Sequence, residues 1–201
     1  VGRALGVLHT ASANRTDLAA AFDTGENFHA LRLEPYLVAT GRRHPDLAPA
    51  LADLVRRTAG RNTVLVHGDV SPKNILVGPK GPVLLDAECA WYGDPAFDIA
   101  FCLNHLLLKR LPRPDRAREL RVAFLAFVEA YFGTISFEPR DPLEARTAQL
   151  LPALFLARVD GKSPVEYLTQ ESDKERVRDF ATPRIADPGS SLQEIASDWF
   201  D

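Results

Sequence analysis

The tightest constraint on this chain is the run from Val66 to Ala100, VHGDVSPKNILVGPKGPVLLDAECAWYGDPAFDIA. Its polar residues fall in a fixed order. His67-Gly68-Asp69 is followed by four residues and Asn74, then by the turn-rich Gly78-Pro79-Lys80-Gly81-Pro82, by Asp86-Ala87-Glu88, and by Gly93-Asp94-Pro95. Thr63 to Val66 is short, β-branched and apolar, which predicts a strand. Asn74 to Val77 and Val83 to Leu85 predict two more, joined as a hairpin by the glycine-proline turn. Asp94-Pro95 sets a capping acid before a proline at the first turn of the helix AFDIAFCLNHLLLKR. The chain therefore presents a loop acid, an amide at the start of one strand, and an acid at the end of its hairpin partner.

That arrangement suits transfer of the γ-phosphoryl group of a nucleotide onto a hydroxyl. Such a reaction asks for in-line positioning and cancellation of phosphate charge, with little covalent chemistry from the protein. Asp69 is placed to accept the hydroxyl proton, and Pro72 stiffens its loop. Mg²⁺ takes hard oxygen ligands. The Asn74 amide oxygen and the Asp86 carboxylate supply two, because a hairpin brings positions 74 and 86 together. Glu88 points with Asp86 if the strand continues, and then touches a second metal directly or through water. Otherwise it is a solvent-facing strand-end acid. Lys73 is either a phosphate-neutralising cation or an exposed loop lysine.

HGDVSPKNIL, LLDAE and GDPAFDIA together resemble the aminoglycoside phosphotransferase and choline kinase group of the protein-kinase-like superfamily. The resemblance implies Asp69 as catalytic base and Asn74 and Asp86 as Mg²⁺ ligands that also contact the nucleotide, ATP or GTP. It implies that Asp98 is a buried carboxylate bracing the catalytic loop, and that His67 packs and hydrogen-bonds within that loop. Further along, ARVDGKSPVEYL resembles bacterial members of phosphotransferase type whose substrates are unassigned. In that group the acceptor binds the C-terminal lobe.

The remainder reads as helix. Residues 1–11 resemble the end of a helix, a polar stretch follows to Asn27, and 28–40 is a second helical pattern that Pro35 is expected to kink or break. LAPALADLVRRTA is a third, stopped by Gly60. Leu120, Phe124, Phe127, Val128 and Tyr131 recur at helical spacing. Asp141-Pro-Leu-Glu144 and Ser163-Pro-Val-Glu166 match the capping box, predicting helices to about Arg158 and Leu168, and a final helix is expected from Ser190 to Phe200. His9, His105, Trp91 and Tyr92 read as core packing. The fold class expected is α+β, mostly helical, with a small central β-hairpin: the C-terminal lobe of a protein-kinase-like fold over residues 1–201.

The upper half of such an enzyme is not visible in the sequence. Sixty-eight residues precede Asp69, with no lysine and no glycine-rich phosphate loop. The expectation is a truncated chain whose N-terminal nucleotide-binding lobe is absent and which transfers phosphate poorly alone. A net charge of −3 points away from nucleic acid, and no apolar run approaches the roughly 18 residues a membrane span needs. Two cysteines, Cys89 and Cys102, fit free thiols in a reducing cytoplasm. The acceptor is a small metabolite or an aminoglycoside-like antibiotic. Residues 160–201 hold ten acids against five Lys and Arg, which is either a patch for a cationic acceptor or a set of solvated helix faces. The rival function is a non-catalytic, pseudokinase-like binding or regulatory module.

Overall fold

The computed structural model describes residues 1–201. Its architecture is mostly helical α+β: ten α-helices, one π-helix, two short 3₁₀ turns and two two-stranded antiparallel sheets. Helix α6 (Ala96–Lys109) is apolar on every side, and a helix of that kind must be enclosed. Twelve of its fourteen residues are buried, and α8 (Arg140–Asp160) and α7 (Ala117–Phe132) pack against it. Helix α1 (Gly2–Ser12) lies across α7. A Cβ on Gly2 would stand 2.4 Å from the Phe127 carbonyl oxygen, so only glycine permits that close approach. Helix α9 (Glu171–Ala186) covers α8, and α10 (Leu192–Phe200) closes the far end, opened by a true capping box between Ser191 and Glu194.

The strands frame the loop that carries Asp69. Strand β1 (Val64–Val66) enters it. The hairpin β2 (Ile75–Gly78) and β3 (Gly81–Leu84) leaves it, with Ile75 opposite Leu84. Strand β4 (Trp91–Gly93), which periodicity did not reveal, pairs back onto β1 with Val66 opposite Trp91. Trp91 and Tyr92 are packing residues, as read. Trp91 stacks on Phe28 with ring centroids 4.4 Å apart, and Phe28 meets Phe97 edge-on at 4.7 Å. The Tyr92 hydroxyl donates to the Ser12 carbonyl.

Several local expectations are corrected. The polar stretch 12–27 contains two short helices, α2 (Thr16–Ala21) and α3 (Gly25–Phe28). Pro35 does not break its helix. The π-helix His29–Val38 runs through it and continues as α4 (Ala39–Arg43), ahead of α5 (Ala48–Ala59). A proline cannot donate to the carbonyl four residues back. Here the helix widens, and the Leu31 carbonyl accepts instead from Arg32 Nη1 at 2.9 Å. No helix forms over 163–168. The Val165 N–H turns back to the Arg158 carbonyl at 2.9 Å, and the Ser163 carbonyl accepts from Arg158 Nη1 at 2.6 Å. This tertiary use of the backbone overrides the capping-box pattern. At 141–144 the helix does form, but Glu144 pairs with Arg140 rather than capping. No helix is long and apolar enough to cross a membrane.

Phe28 ties α3, β4 and α6 together and is 1% exposed. Phe28→Ala is expected to lower unfolding free energy by about 3–5 kcal/mol, read by urea denaturation. A loss under about 1 kcal/mol would remove the ring from that role.

Candidate active site

The loop after β1 is built around one carboxylate. Asp98, in the first turn of α6, is fully buried. Its Oδ2 accepts the His67 N–H at 2.7 Å and its Oδ1 accepts the Gly68 N–H at 2.8 Å. His9 Nε2 stands 3.3 Å from Oδ2, and His9 Nδ1 lies 2.7 Å from the Tyr131 hydroxyl. Burial foremost, and then the negative charge of Asp98, push that phenol well above its ordinary range. Gly68 has φ +80°, and a Cβ there would strike the Cys89 carbonyl oxygen at 2.7 Å. The positive φ and the contact both demand glycine. His67 Nδ1 accepts the Asp69 N–H at 3.2 Å, while its Nε2 is buried without a partner.

Asp69 is buried, at 6% exposure, on the wall of a cavity of about 740 Å³. Arg32 Nη2 lies 3.1 Å and Lys73 Nζ 3.6 Å from its Oδ2, so both cations hold the same oxygen. Lys73 is largely exposed; Arg32 is not. Arg32 also donates through Nε to the Gly68 carbonyl at 2.6 Å. This arginine was missed in the sequence. Nothing in its spacing marks it, since it projects from a π-helix whose register no α or β periodicity describes.

Asn74 is buried in the 3₁₀ turn Pro72–Asn74. Its Nδ2 donates to the Asp69 carbonyl at 3.2 Å, and Oδ1 of the amide takes no hydrogen bond from the protein. The Asn74 carbonyl accepts the Leu85 N–H at 2.8 Å, extending the hairpin ladder one step. That step brings Asn74 beside the residue preceding Asp86. Strand β3 ends at Leu84, and Asp86 takes φ +63°, so the strand does not continue to Glu88. Asp86 and Glu88 are both exposed, and Glu88 lines the same cavity as Asp69. The structure thus ties Asn74 to the loop of Asp69, leaves Asp86 exposed just past the end of β3, and sets Glu88 on the cavity wall.

No group of three or more His, Cys, Asp and Glu side chains is placed to hold a metal ion by itself. An ion at this place would draw on the Asn74 amide oxygen and one or two carboxylates, with phosphate oxygens and water completing its shell. That donor set is hard, oxygen-only and sparse, as Mg²⁺ at nucleotides prefers. Cys89 beside it is inert, its thiol pushed up to about 11 chiefly by burial.

The cavity's far walls come from the π-helix, from one face of α6 (Phe101, His105, Lys109) and from Arg158 with the strap 162–167. The strap is latched. Arg178 of α9 grips Asp160 through two bonds of 2.8 Å, and His44 adds a third at 2.8 Å. Burial alone would raise the Asp160 carboxyl, but hydrogen bonds from Arg178 and His44 outweigh it and hold it below its ordinary value. The Lys162 N–H donates to the Pro35 carbonyl at 2.8 Å.

The acidic tail is not a patch at this cavity. Glu171 pairs with Arg178, Asp198 with Arg184, and Glu194 caps α10. Of the ten acids counted there, only Glu166 reaches the wall. His105, read as a core histidine, lines the cavity, and burial followed by the charge of Arg158 pushes it down to about 3.

The profile of the Phosphotransferase enzyme family matches residues 1–132. Among curated proteins the chain is similar to methylthioribose kinase of Erwinia tasmaniensis, 27% identical over 146 residues, covering 66% of this chain and 36% of that protein. The same-named protein of Pectobacterium atrosepticum is 29% identical over 61% of this chain and 33% of its own length. A Geobacillus counterpart is 31% identical over 42% and 21%. The chain thus spans about a third or less of the length of these relatives.

Asp98→Asn keeps the size of the side chain but turns an N–H₂ group toward a backbone N–H. Unfolding free energy should fall by about 2–4 kcal/mol, and the His67 and Gly68 amides should lose hydrogen-exchange protection first. Unchanged protection there would refute the brace. Asp160, with its carboxyl held low, contributes stability above the ordinary carboxylate range that is lost as pH falls through its folded value. The stability gap between wild type and Asp160→Asn should be widest at neutral pH and close below about pH 4. A gap independent of pH would show that the carboxylate's charge does not matter there.

Proposed function

Because this chain belongs to the Phosphotransferase enzyme family, we propose that it is the catalytic, acceptor-binding lobe of a small-molecule kinase. It moves the γ-phosphoryl group of ATP or GTP onto a hydroxyl of a small metabolite. The observation that carries this reading is the pairing of Asp69 and Asn74: a buried acid on the wall of a metabolite-sized cavity, tied through its own carbonyl to the Asn74 amide. Cavities of this size ordinarily hold small ligands.

In this reading the acceptor enters the cavity and its hydroxyl hydrogen-bonds to Asp69. Arg32 and Lys73 both hold Oδ2, so Oδ1 is the oxygen that takes the hydroxyl proton as the oxygen attacks phosphorus. Arg32 fixes the carboxylate by gripping it together with the Gly68 carbonyl. Asn74 Oδ1 and the Asp86 carboxylate would hold Mg²⁺ at the nucleotide, with Glu88 as a further acid in the same segment. The metal supplies charge neutralisation along the phosphates. His67 and Asp98 are positioning residues of the loop. A strand lysine and a glycine-rich loop are not among these residues, so the lobe would work against a separate nucleotide-binding lobe. Two buried free thiols suit a reducing cytoplasm.

The relatives' name, methylthioribose kinase, makes a sugar-like hydroxyl acceptor a reasonable member of any test panel. A polycationic aminoglycoside fits less well, because Lys and Arg outnumber Asp and Glu around the cavity. The rival reading, a binding or regulatory module, would need no base. Asp69 nonetheless keeps its buried place on the cavity wall.

The deciding assay follows ATP consumption and acceptor phosphorylation by the complete gene product with Mg²⁺. Asp69→Asn should lower kcat at least about 100-fold with little change in nucleotide binding. Nucleotide binding without turnover in either protein would favour the module, and turnover unaffected by Asp69→Asn would remove the proposed base.

A further inference from the structure

The cavity beside Asp69 holds positive charge that the reaction centre does not use. Three of its cations are already matched: Arg32 and Lys73 by Asp69, and Lys162 by Glu34 at 2.8 Å. Two are not matched. Lys109 rests over the Tyr167 ring, with Nζ 4.0 Å from its centroid. Arg158 lies over the Tyr36 ring at 5.5 Å and spends Nη1 on the Tyr36 hydroxyl and the Ser163 carbonyl. Its Nε is buried without a partner. No carboxylate stands within ion-pair distance of either, although both are partly buried, where an uncompensated charge is costly.

Between them, one helical turn before Lys109, sits His105. It is 8% exposed, and its Nε2 is buried with no hydrogen-bond partner. Burial, and then the charge of Arg158, push this imidazole down to about 3 against the opposing charge of Asp69, with Lys109 and Lys73 adding weaker pushes in the same direction as Arg158. A neutral imidazole has one N–H to give, and no acceptor in the protein takes a hydrogen bond from Nε2. The group missing from this corner is an anion with several acceptor oxygens. An anion there would pair with Lys109 and Arg158 and would favour protonation of His105.

We propose that the acceptor of this kinase carries an anionic group, a carboxylate or a phosphate ester, seated between Lys109 and Arg158 while its hydroxyl faces Asp69. This rests on the kinase reading only for the hydroxyl; the anion site stands on the cavity's own charges. Phe101 and Tyr36, which touch each other with centroids 5.6 Å apart, give the carbon frame an apolar wall. Arg158 and the strap residues to Tyr167 belong to the ARVDGKSPVEYL segment, so this run reads as the specificity element of the pocket.

The test is an NMR titration of the 201-residue chain with sodium malonate and, separately, inorganic phosphate at constant ionic strength, following the ring signals of His105. Saturable shifts of those signals are expected, together with a higher His105 pKa in the bound form. Lys109→Gln should weaken binding at least about fivefold, and Lys109→Gln/Arg158→Gln should abolish it. The single variant keeps the test valid where the double variant unfolds, because Lys109 makes no hydrogen bond or ion pair that the fold needs. Response to malonate alone assigns a carboxylate, and response to phosphate alone a phosphate ester. No saturable shift, an affinity unchanged by Lys109→Gln, or the same shifts produced by glucosamine would overturn the proposal. Phosphoryl transfer is not read by this titration. A silent kinase assay with a positive titration therefore rejects the function and keeps the site, and the reverse rejects the site alone.

Discussion

A single buried carboxylate underlies the geometry of the site. Asp98 has no access to water, and a carboxylate in that position is tolerable only when its lone pairs are filled. The groups that fill them are two consecutive backbone N–H groups of the loop and a histidine from the first helix. This one side chain therefore fixes α6, β1 and α1 relative to each other. The loop cannot relax without leaving an unpaired charge in the core, so its rigidity is inherited from the core rather than from its own sequence. Gly68 completes the arrangement by letting the loop lie directly against the Cys89 backbone, which couples the segment carrying Asp69 to the one carrying Asp86 and Glu88.

The contrast between what sequence revealed and what it concealed follows from range. The hairpin, the entry strand, α6 and the order of polar residues were legible because turn chemistry, β-branching and capping act over a few positions. The hairpin appeared at 75–84, close to where Asn74–Val77 and Val83–Leu85 predicted it. Strand β4 was hidden because Trp91 to Gly93 is short and, unlike the equally short β1, carries no β-branched residue. The cavity was hidden altogether. Its walls are 32, 69, 105, 109 and 158, positions joined only by folding, and its charge balance is opposite to that of the acidic segment counted in the sequence.

Pro35 shows how a local rule can fail informatively. A proline is expected to end a helix because it cannot close the bond to the carbonyl four residues back. The chain answers with a π-helix and gives the exposed Leu31 carbonyl to the neighbouring guanidinium of Arg32. That bond, with those to Gly68 and Asp69, leaves the guanidinium little freedom. Wide helical turns are often found where function requires a side chain to be aimed off the usual register, and here the aimed side chain reaches the candidate base.

The strap from Gly161 to Leu168 has no regular helix or strand, yet its two ends are pinned, by the Asp160 latch on one side and by buried Val165 and Leu168 on the other. Irregular segments between fixed anchors tolerate substitution, insertion and loss of residues at small energetic cost. The Asp98 brace lies elsewhere and shares no bond with the strap. A lineage carrying this fold can thus redraw the outline of the pocket, and so the identity of its ligand, one surface residue at a time while the loop held by Asp98 stays as it is. Diversity of ligands in such a fold would then arise from where the backbone is least regular, while the buried carboxylate holds the rest in place.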